Sequence, residues 1–436
     1  MGGGASDPSV PLGESLRALA ASPRELWIVY TMKLFESVAY FAIYSVLVLY
    51  LSDDLGYSDL EAGGLAGTWL TAVSLVVFVS GFVADSLGVR RALALAAASC
   101  VAGRGLLALG GGEGATLLGL TVMVWGVASL KPTMNAAVRA YTGPATVAFA
   151  FSLYYVLMNL GAFVQGPLIS HFRATFPAGT VLWGLTFSSS ELVFLVAFGA
   201  SCVNLALSVF LRDPPAPATP AANPLQAARE VLSESTFWRF LGFVALLTMV
   251  RLVFQHAHLT WPKYALREFG ETFPYASYWS INPAMIVLLT PFVTALTRRW
   301  PVYPTIVAGA LLSALSVFSM AASTTVAASV VFIVVLSLGE AVWSPRLYEY
   351  TATIAPRGRE SSYMGLSELP LFLAKPVVGF LSGWMLQTYC PADGARASST
   401  MWLWIGLMTL AAPVAMVFLR GALDADQRSP ATSRSR

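Results

Sequence analysis

Six basic side chains fall inside long apolar runs of this sequence: Lys33, Arg104, Lys131, Arg251, Arg346 and Lys375. A charge at bilayer depth costs on the order of 3 kcal/mol even after the side chain stretches toward the interface. Something must offset that cost, and Glu36 and Glu340 are the acids set in comparable runs. Lys131 is the most conspicuous of the bases. It sits in GLTVMVWGVASLKPTMNAAVR, residues 119–139, directly before Pro132, whose missing N–H favours a kink. One reading places the ammonium near a helix end, reaching for the headgroups. The other turns it toward a polar cavity, where it pairs with an acid from another helix or with a bound anion. A carboxyl among aliphatic residues, as Glu340 is, suits proton exchange.

Other polar positions cluster on helical faces. Lys33, Glu36, Ser37, Tyr40 and Tyr44 share one side of the first run. Lys33 and Glu36, three residues apart, can neutralise each other, or Glu36 can act as a proton site beside Lys131. In the seventh run stand Arg251, Gln255, His256, His258 and Trp261. Two histidines two residues apart point about 200° apart on a helix, so Arg251 and Gln255 lining a cavity is preferred to a shared metal ion. Arg346 and Glu349, three apart, read as an ion pair at a helix end. Glu368 and Lys375 share a face between Pro370 and Pro376, as a gate hinge or a structural pair.

The elements that must position these groups are transmembrane helices. Of 436 residues, 56% are apolar and 11% charged, with a mean hydropathy of +0.68, well above a soluble protein. Twelve runs are long enough to cross ~30 Å of hydrocarbon: 25–52, 61–83, 90–110, 115–140, 147–172, 183–211, 237–262, 276–299, 302–322, 326–350, 362–388 and 400–420. The short alternating segments of a membrane barrel are absent. Arginines sort onto alternate connections (Arg17 and Arg24, Arg90 and Arg91, Arg139, Arg212, Arg229 and Arg239, Arg298 and Arg299, Arg357 and Arg359, and the tail from Arg420), which places both termini in the cytoplasm. The opposite connections hold Arg173, Lys263, Arg267 and Arg396, and the first of them is acidic, with Asp53, Asp54, Asp59 and Glu61.

The first 22 residues have no basic start and short apolar core, so no cleavable signal is expected. Cys100, Cys202 and Cys390 lack metal-ligand spacing. The net charge of +3 is spread over loops without the basic stripe that nucleic-acid binding needs. Residues 213–235, rich in Pro and Ala with several charges, read as a linker with a short amphipathic helix. The expected organisation is a tail 1–22, a six-helix bundle 23–211, a linker 212–236, a second six-helix bundle 237–421 and a tail 422–436.

Between the second and third runs lies GFVADSLGVRR, residues 81–91. Its Gly-x-x-x-Asp-x-x-Gly-x-Arg-Arg pattern resembles the signature loop of the major facilitator superfamily, which implies that Asp85, Arg90 and Arg91 form a conformational latch. Lys131-Pro132, together with Phe151, Tyr155, Asn159 and Gly161, then resembles the Lys-Pro and Phe-Tyr-x-x-x-Asn-x-Gly helices of the proton-dependent oligopeptide transporter family. Asn282, Pro283, Ile286 and Pro291 are similar to that family's eighth helix, and Gly339, Glu340, Ser344, Pro345 and Pro356 to its tenth. The first span departs from the family's Glu-x-x-Glu-Arg-Phe-x-Tyr-Tyr. Here it reads Lys33, Glu36, Ser37, Tyr40 and Phe41, then Tyr44, so Lys33 and Glu36 would still sum to zero. The arginine fork that grips a carboxylate at two points is missing.

The resemblance implies an all-α membrane protein of twelve transmembrane helices in two six-helix bundles with pseudo-two-fold symmetry. The function expected is a proton-coupled symporter of peptides or peptide-like solutes, working by alternating access. Substrate would meet Lys131 and Glu340 on opposite walls of a cavity lined by Tyr40, Tyr44, Tyr155, Asn159, Arg251, Gln255, Trp261 and Asn282. Protons would be carried by Glu36, Lys131 and Glu340. The expected partners are a small molecule, protons and the lipid bilayer, for a monomer in a bacterial inner membrane, with no nucleic acid, cofactor or metal. The alternatives are a proton-driven exporter of amphipathic compounds and a solute-binding sensor without transport. No paired catalytic carboxylates, nucleophile elbow or phosphate loop point to an enzyme.

Overall fold

The computed structural model describes residues 21–109, 111–143, 146–213, 233, 235–297, 299–354 and 369–423. Apolar runs of this length become helices in a bilayer because lipid offers no partner for backbone N–H and C=O groups. The first half contains α1 (Arg24–Leu49), α2 (Asp59–Leu87), α3 (Val89–Leu109), α4 (Glu113–Tyr141), α5 (Val147–Thr175) and α6 (Ser189–Val209). The second contains α7 (Ser235–Leu259), α8 (Trp261–Phe269), α9 (Tyr275–Trp279), α10 (Ile281–Thr297), α11 (Val302–Ser316), α12 (Phe318–Ala322), α13 (Val326–Ile354), α14 (Leu369–Tyr389), α15 (Ser398–Phe418) and α16 (Arg420–Leu423). Among the described residues, 11 helical segments are long and apolar enough to cross a membrane. The 21-residue α14 lies over the remaining expected run.

The structure adds features the sequence reading lacked. The first span continues past Leu49 through a π-helical turn, Tyr50–Asp54. The eighth span is divided into α9 and α10, and the ninth into α11 and α12. An antiparallel hairpin pairs Thr180–Leu182 (β1) with Leu185–Phe187 (β2) between α5 and α6. Capping is local at α6, where Ser188 and Glu191 form a reciprocal capping box. The expected linker helix lies outside the described residues, as do the N-terminal tail through residue 20 and the C-terminal tail from 424.

The chain forms two compact units. The first comprises Met1–Ala216, Ala257–Ala284 and Gly379–Thr388; the second comprises Pro217–His256, Met285–Val378 and Tyr389–Arg436. In the first, α3 crosses α4 at paired glycines: a Cβ on Gly103 would stand 2.6 Å from the Gly119 carbonyl oxygen, so the backbones touch. In the second, an aromatic core of Phe240, Phe243, Tyr303, Trp343 and Tyr350 joins α7, α11 and α13. Its polar tips are satisfied, the Tyr303 hydroxyl donating to the Met416 carbonyl at 3.0 Å and Trp343 Nε1 to Ser313 Oγ at 3.2 Å.

Candidate functional site

Helix α1 carries the first charged group inward, and its partner comes from α3. Arg104 meets Glu36 with both arms of its guanidinium: Nη1 donates to Oε2 at 2.8 Å and Nη2 to Oε1 at 2.7 Å. Nη1 also donates to Ser201 Oγ of α6 at 2.6 Å, and that hydroxyl donates to the Ala197 carbonyl at 2.8 Å. Arg104 is 0% exposed and Glu36 is buried. A two-point, charge-assisted pair of this kind fixes both side chains. The expected cancellation of Glu36 by Lys33 is therefore corrected, because Arg104 occupies both carboxylate oxygens.

Lys33, one turn before Glu36, is 6% exposed, and its Nζ lies 4.8 Å from the centroid of the Tyr154 ring of α5. That arrangement is a cation–π contact. Lys131 on α4 is exposed. Helix α4 runs on through Pro132. Among the described residues, neither lysine makes an ion pair.

The remaining candidates in the first unit lie on α1, α5, α8 and α10. Tyr40 and Tyr44 lie 5.9 Å apart by ring centroid on α1. Tyr44 stacks face to face on His258 at 4.3 Å and 6°, with Trp279 edge-on to that imidazole at 5.6 Å. The Nδ2 of Asn159, buried on α5, donates to the Tyr155 carbonyl at 3.0 Å. Asn282 is buried at the start of α10. Trp261 is wholly buried, and its Nε1 donates to the Tyr275 carbonyl at 3.2 Å, so it pins α8 to α9.

In the second unit, Arg251 and Gln255 are half-buried on α7, and Glu340 is half-buried on α13. Arg346 is buried, with Nη2 donating to Thr297 Oγ1 at 3.3 Å. The side chain of Glu349 lies outside the described residues. Lys375 Nζ lies 5.2 Å from the Phe372 ring centroid, and Glu368 is also outside the described residues.

At the signature turn, Gly88 adopts φ +81° and the Arg90 N–H donates to Asp213 Oδ1 at 2.8 Å, so a carboxylate from beyond α6 caps the N-terminus of α3. Arg90 and Arg91 are exposed, and the side chain of Asp85 lies outside the described residues. At the other end of the spans, the acidic first connection finds the bases of α8. Asp59 accepts from Lys263 Nζ at 2.6 Å and from Arg267 Nη1 and Nη2 at 2.8 Å each, and Lys263 also donates to Ser52 Oγ. Burial holds the Lys263 ammonium below its ordinary pKa, with Asp59 pushing the other way. The sequence showed both sets of charges on one side but not their pairing.

Comparison with known proteins agrees with this architecture. A structure of a POT family transporter in complex with 5-aminolevulinic acid aligns with a TM-score of 0.75 at 15% identity, over 92% of this chain and 97% of the other. A POT family transporter in complex with a thioalcohol-conjugated peptide aligns at 0.76 and 16%, with the same coverage. In sequence, the chain is 24% identical over 191 residues to dipeptide and tripeptide permease A of Enterobacter sp. (strain 638), covering 43% of this chain. It spans only 37% of that relative's length. It is 25% identical over 375 residues to multidrug resistance protein MdtH of Aeromonas salmonicida, covering 84% of this chain and 89% of MdtH. The model of the Major Facilitator Superfamily matches residues 29–370, most of the chain. With that match the chain belongs to the Major Facilitator Superfamily, a family of secondary transporters rather than enzymes.

Proposed function

We propose that this chain is a proton-coupled symporter of small peptide-like solutes working by alternating access. The observation that carries the reading is Lys131, an exposed ammonium on α4 within a helix long and apolar enough to cross a membrane. A cation in such a helix that faces a cavity is suited to gripping a substrate carboxylate. Arg104 holds Glu36, so in this reading Glu36 is a structural pin and Glu340, half-buried on α13, is the group that exchanges protons. The six-span halves 23–211 and 237–421 are the moving bodies, joined by the linker 212–236. Asp85, Arg90 and Arg91 act as the latch, and the arginine bias supports cytoplasmic termini in a bacterial inner membrane.

The test is uptake of labelled dialanine and trialanine into proteoliposomes, with and without an inward proton gradient and with unlabelled peptides as competitors. Gradient-driven accumulation that is competed by peptides and lost in Lys131→Ala is expected. Uptake indifferent to both the gradient and Lys131→Ala would overturn the reading.

One observation favours a second reading, export of amphipathic compounds: the match to MdtH runs nearly end to end, whereas those to the permeases are partial. Proton-dependent accumulation of a fluorescent drug in inverted vesicles would establish it.

A further inference from the structure

The connection between α5 and α6 carries a hairpin whose composition does not suit water. From Ala174 to Ser190 the sequence holds no charged residue, and the hairpin itself reads TVLWGLTF, residues 180–187. Val181, Trp183 and Leu185 are 64%, 81% and 51% exposed. The register pairs Thr180 with Phe187, Val181 with Thr186 and Leu182 with Leu185. Paired residues share a face and successive pairs alternate, so Leu185 lies on the same face as Phe187 and Val181 on the other. Phe187 is 2% exposed and fixes the base of the hairpin to the bundle. Beyond that base, apolar side chains stand uncovered on both faces.

The turn is a second, independent observation. Trp183 and Gly184 are its central residues, at φ 52° and 80°. A two-residue turn with both φ values positive matches the twist of the strands, and Asn-Gly is its ordinary occupant. Tryptophan in that position brings its Cβ against the backbone, so the indole is held at the tip at a steric cost. A two-stranded hairpin is also marginal on its own in water, and this one has three strand pairs and one buried anchor. Something outside the chain must therefore cover the tip.

We propose that the tip Val181–Leu185 is an interfacial anchor that docks into the headgroup boundary of the lipid bilayer, in the leaflet opposite the signature turn. Three features select lipid as the occupant. Both helices that the hairpin joins are long and apolar enough to cross a membrane, and a three-residue strand extends only about 10 Å, so the tip stays within reach of the boundary. A protein partner covers one face of a hairpin, whereas lipid surrounds it, and here both faces and the tip are apolar. Tryptophan is the side chain that favours this depth, with an apolar ring and one N–H donor. The unpaired backbone groups on the outer edges of the two strands set the limit of insertion, because hydrocarbon offers them no partner. The anchor fixes the ends of α5 and α6 against the bilayer whatever solute the chain carries.

The experiment places nitroxide labels at Val181→Cys and Leu185→Cys, one on each face, with Trp183 intact. The background is Cys202→Ala, since Cys100 and Cys390 are buried. The full-length protein is reconstituted in phosphatidylcholine vesicles. Power-saturation electron paramagnetic resonance then compares relaxation by oxygen, which concentrates in lipid, with relaxation by a water-soluble nickel chelate. A label at Asp393→Cys, an exposed position, supplies the aqueous reference. Both hairpin labels are expected to favour oxygen, the reverse of the reference. Trp183→Asn suits the left-handed backbone and removes the indole, so it should shift both labels toward the reference. Trp183→Phe, which keeps an apolar ring, should shift them less. A monodisperse elution profile and an unchanged melting temperature for each variant separate loss of the anchor from loss of fold.

Nickel dominance at both labels, as at Asp393, would overturn the proposal by placing the hairpin in water. Shielding of one face from both reagents would overturn it in favour of a protein partner or a second copy of the chain. Labels that favour oxygen equally with and without Trp183 would also overturn it, because the indole would then have no part in the docking.

Discussion

Arg104 and Glu36 meet as a two-pronged fork in the middle of the first helical bundle, 2.7 and 2.8 Å apart at its two points. Three helices converge on that fork, because Glu36 comes from α1, Arg104 from α3 and the supporting Ser201 from α6. Both members are buried, so the pair acts on the fold first and on transport through it. It also engages both oxygens of the one membrane-depth acid of the first six spans.

Breaking the fork from one side should be costlier than removing it. Arg104→Met leaves a buried carboxylate unpaired and should destabilise the protein by about 3–5 kcal/mol. Pairing it with Glu36→Gln should recover much of that loss, because no uncompensated charge then remains. Thermal unfolding in detergent, read for the two single variants and the double, checks the ordering. A double variant less stable than Arg104→Met would contradict it.

The clasp between Asp59 and α8 makes a separate prediction. Asp59 accepts from both Lys263 and Arg267, four residues apart on one face of α8. Asp59→Asn should lower amide protection across Trp261–Phe269 by about tenfold, the equivalent of one charge-assisted hydrogen bond near 1.5 kcal/mol. Hydrogen exchange followed by mass spectrometry reads this directly. Unchanged protection would mean that Trp261, through its bond to Tyr275, holds α8 without help from the charges.

The spans were legible because length and apolarity are one-dimensional properties, and lipid leaves the backbone little alternative to helix. Pairing was not legible. Whether Glu36 takes Lys33, three residues away, or Arg104, 68 residues away, depends on how α1 and α3 are rotated about their axes, and no spacing records that. The one available signal was arithmetic: three bases against one acid in the first six spans, with Arg104 lacking any nearby partner in sequence. The hairpin was missed for a different reason. Its turn is Trp183-Gly184, at φ 52° and 80°, and tryptophan is an unusual occupant of a left-handed position where Asn or Asp is the ordinary signal. The fixing of Trp261 in the α8–α9 core shows the same limit. An aromatic near a span end reads equally as lining or as packing until its indole N–H is seen to have a partner.

Close backbone approach gives a paired test within α5 and α6. A Cβ at Gly166 would lie 1.9 Å from Ser280 Oγ and 2.3 Å from the Ala276 carbonyl oxygen, whereas one at Gly199 meets nothing within 4 Å. Gly166→Ala should therefore cost about 1–3 kcal/mol through overpacking. Gly199→Ala should be neutral or stabilising by up to about 1 kcal/mol through helix propensity. Melting temperatures of the two variants should move in opposite directions or differ clearly in size, and equal shifts would mean that α5 and α9 are not in register as described.

Asp213 and Gly88 make the last prediction, at the turn that carries Arg90 and Arg91. The Asp213 carboxylate accepts the Arg90 N–H at 2.8 Å, and Gly88 holds a φ of +81° that brings the start of α3 up to it. A carboxylate at a helix N-terminus is favoured both by the orphan N–H groups and by the helix dipole. Asp213→Ala should cost about 1 kcal/mol, the usual value of a lost cap. Asp213→Asn keeps an acceptor oxygen, gives up the charge, and should cost less. If the turn serves only stability, transport per folded molecule will be the same in all three proteins. If it is part of the latch, the alanine variant will change transport rate beyond what its loss of folded protein accounts for, and the asparagine variant will fall between. Initial uptake rates normalised to monodisperse protein separate the two outcomes.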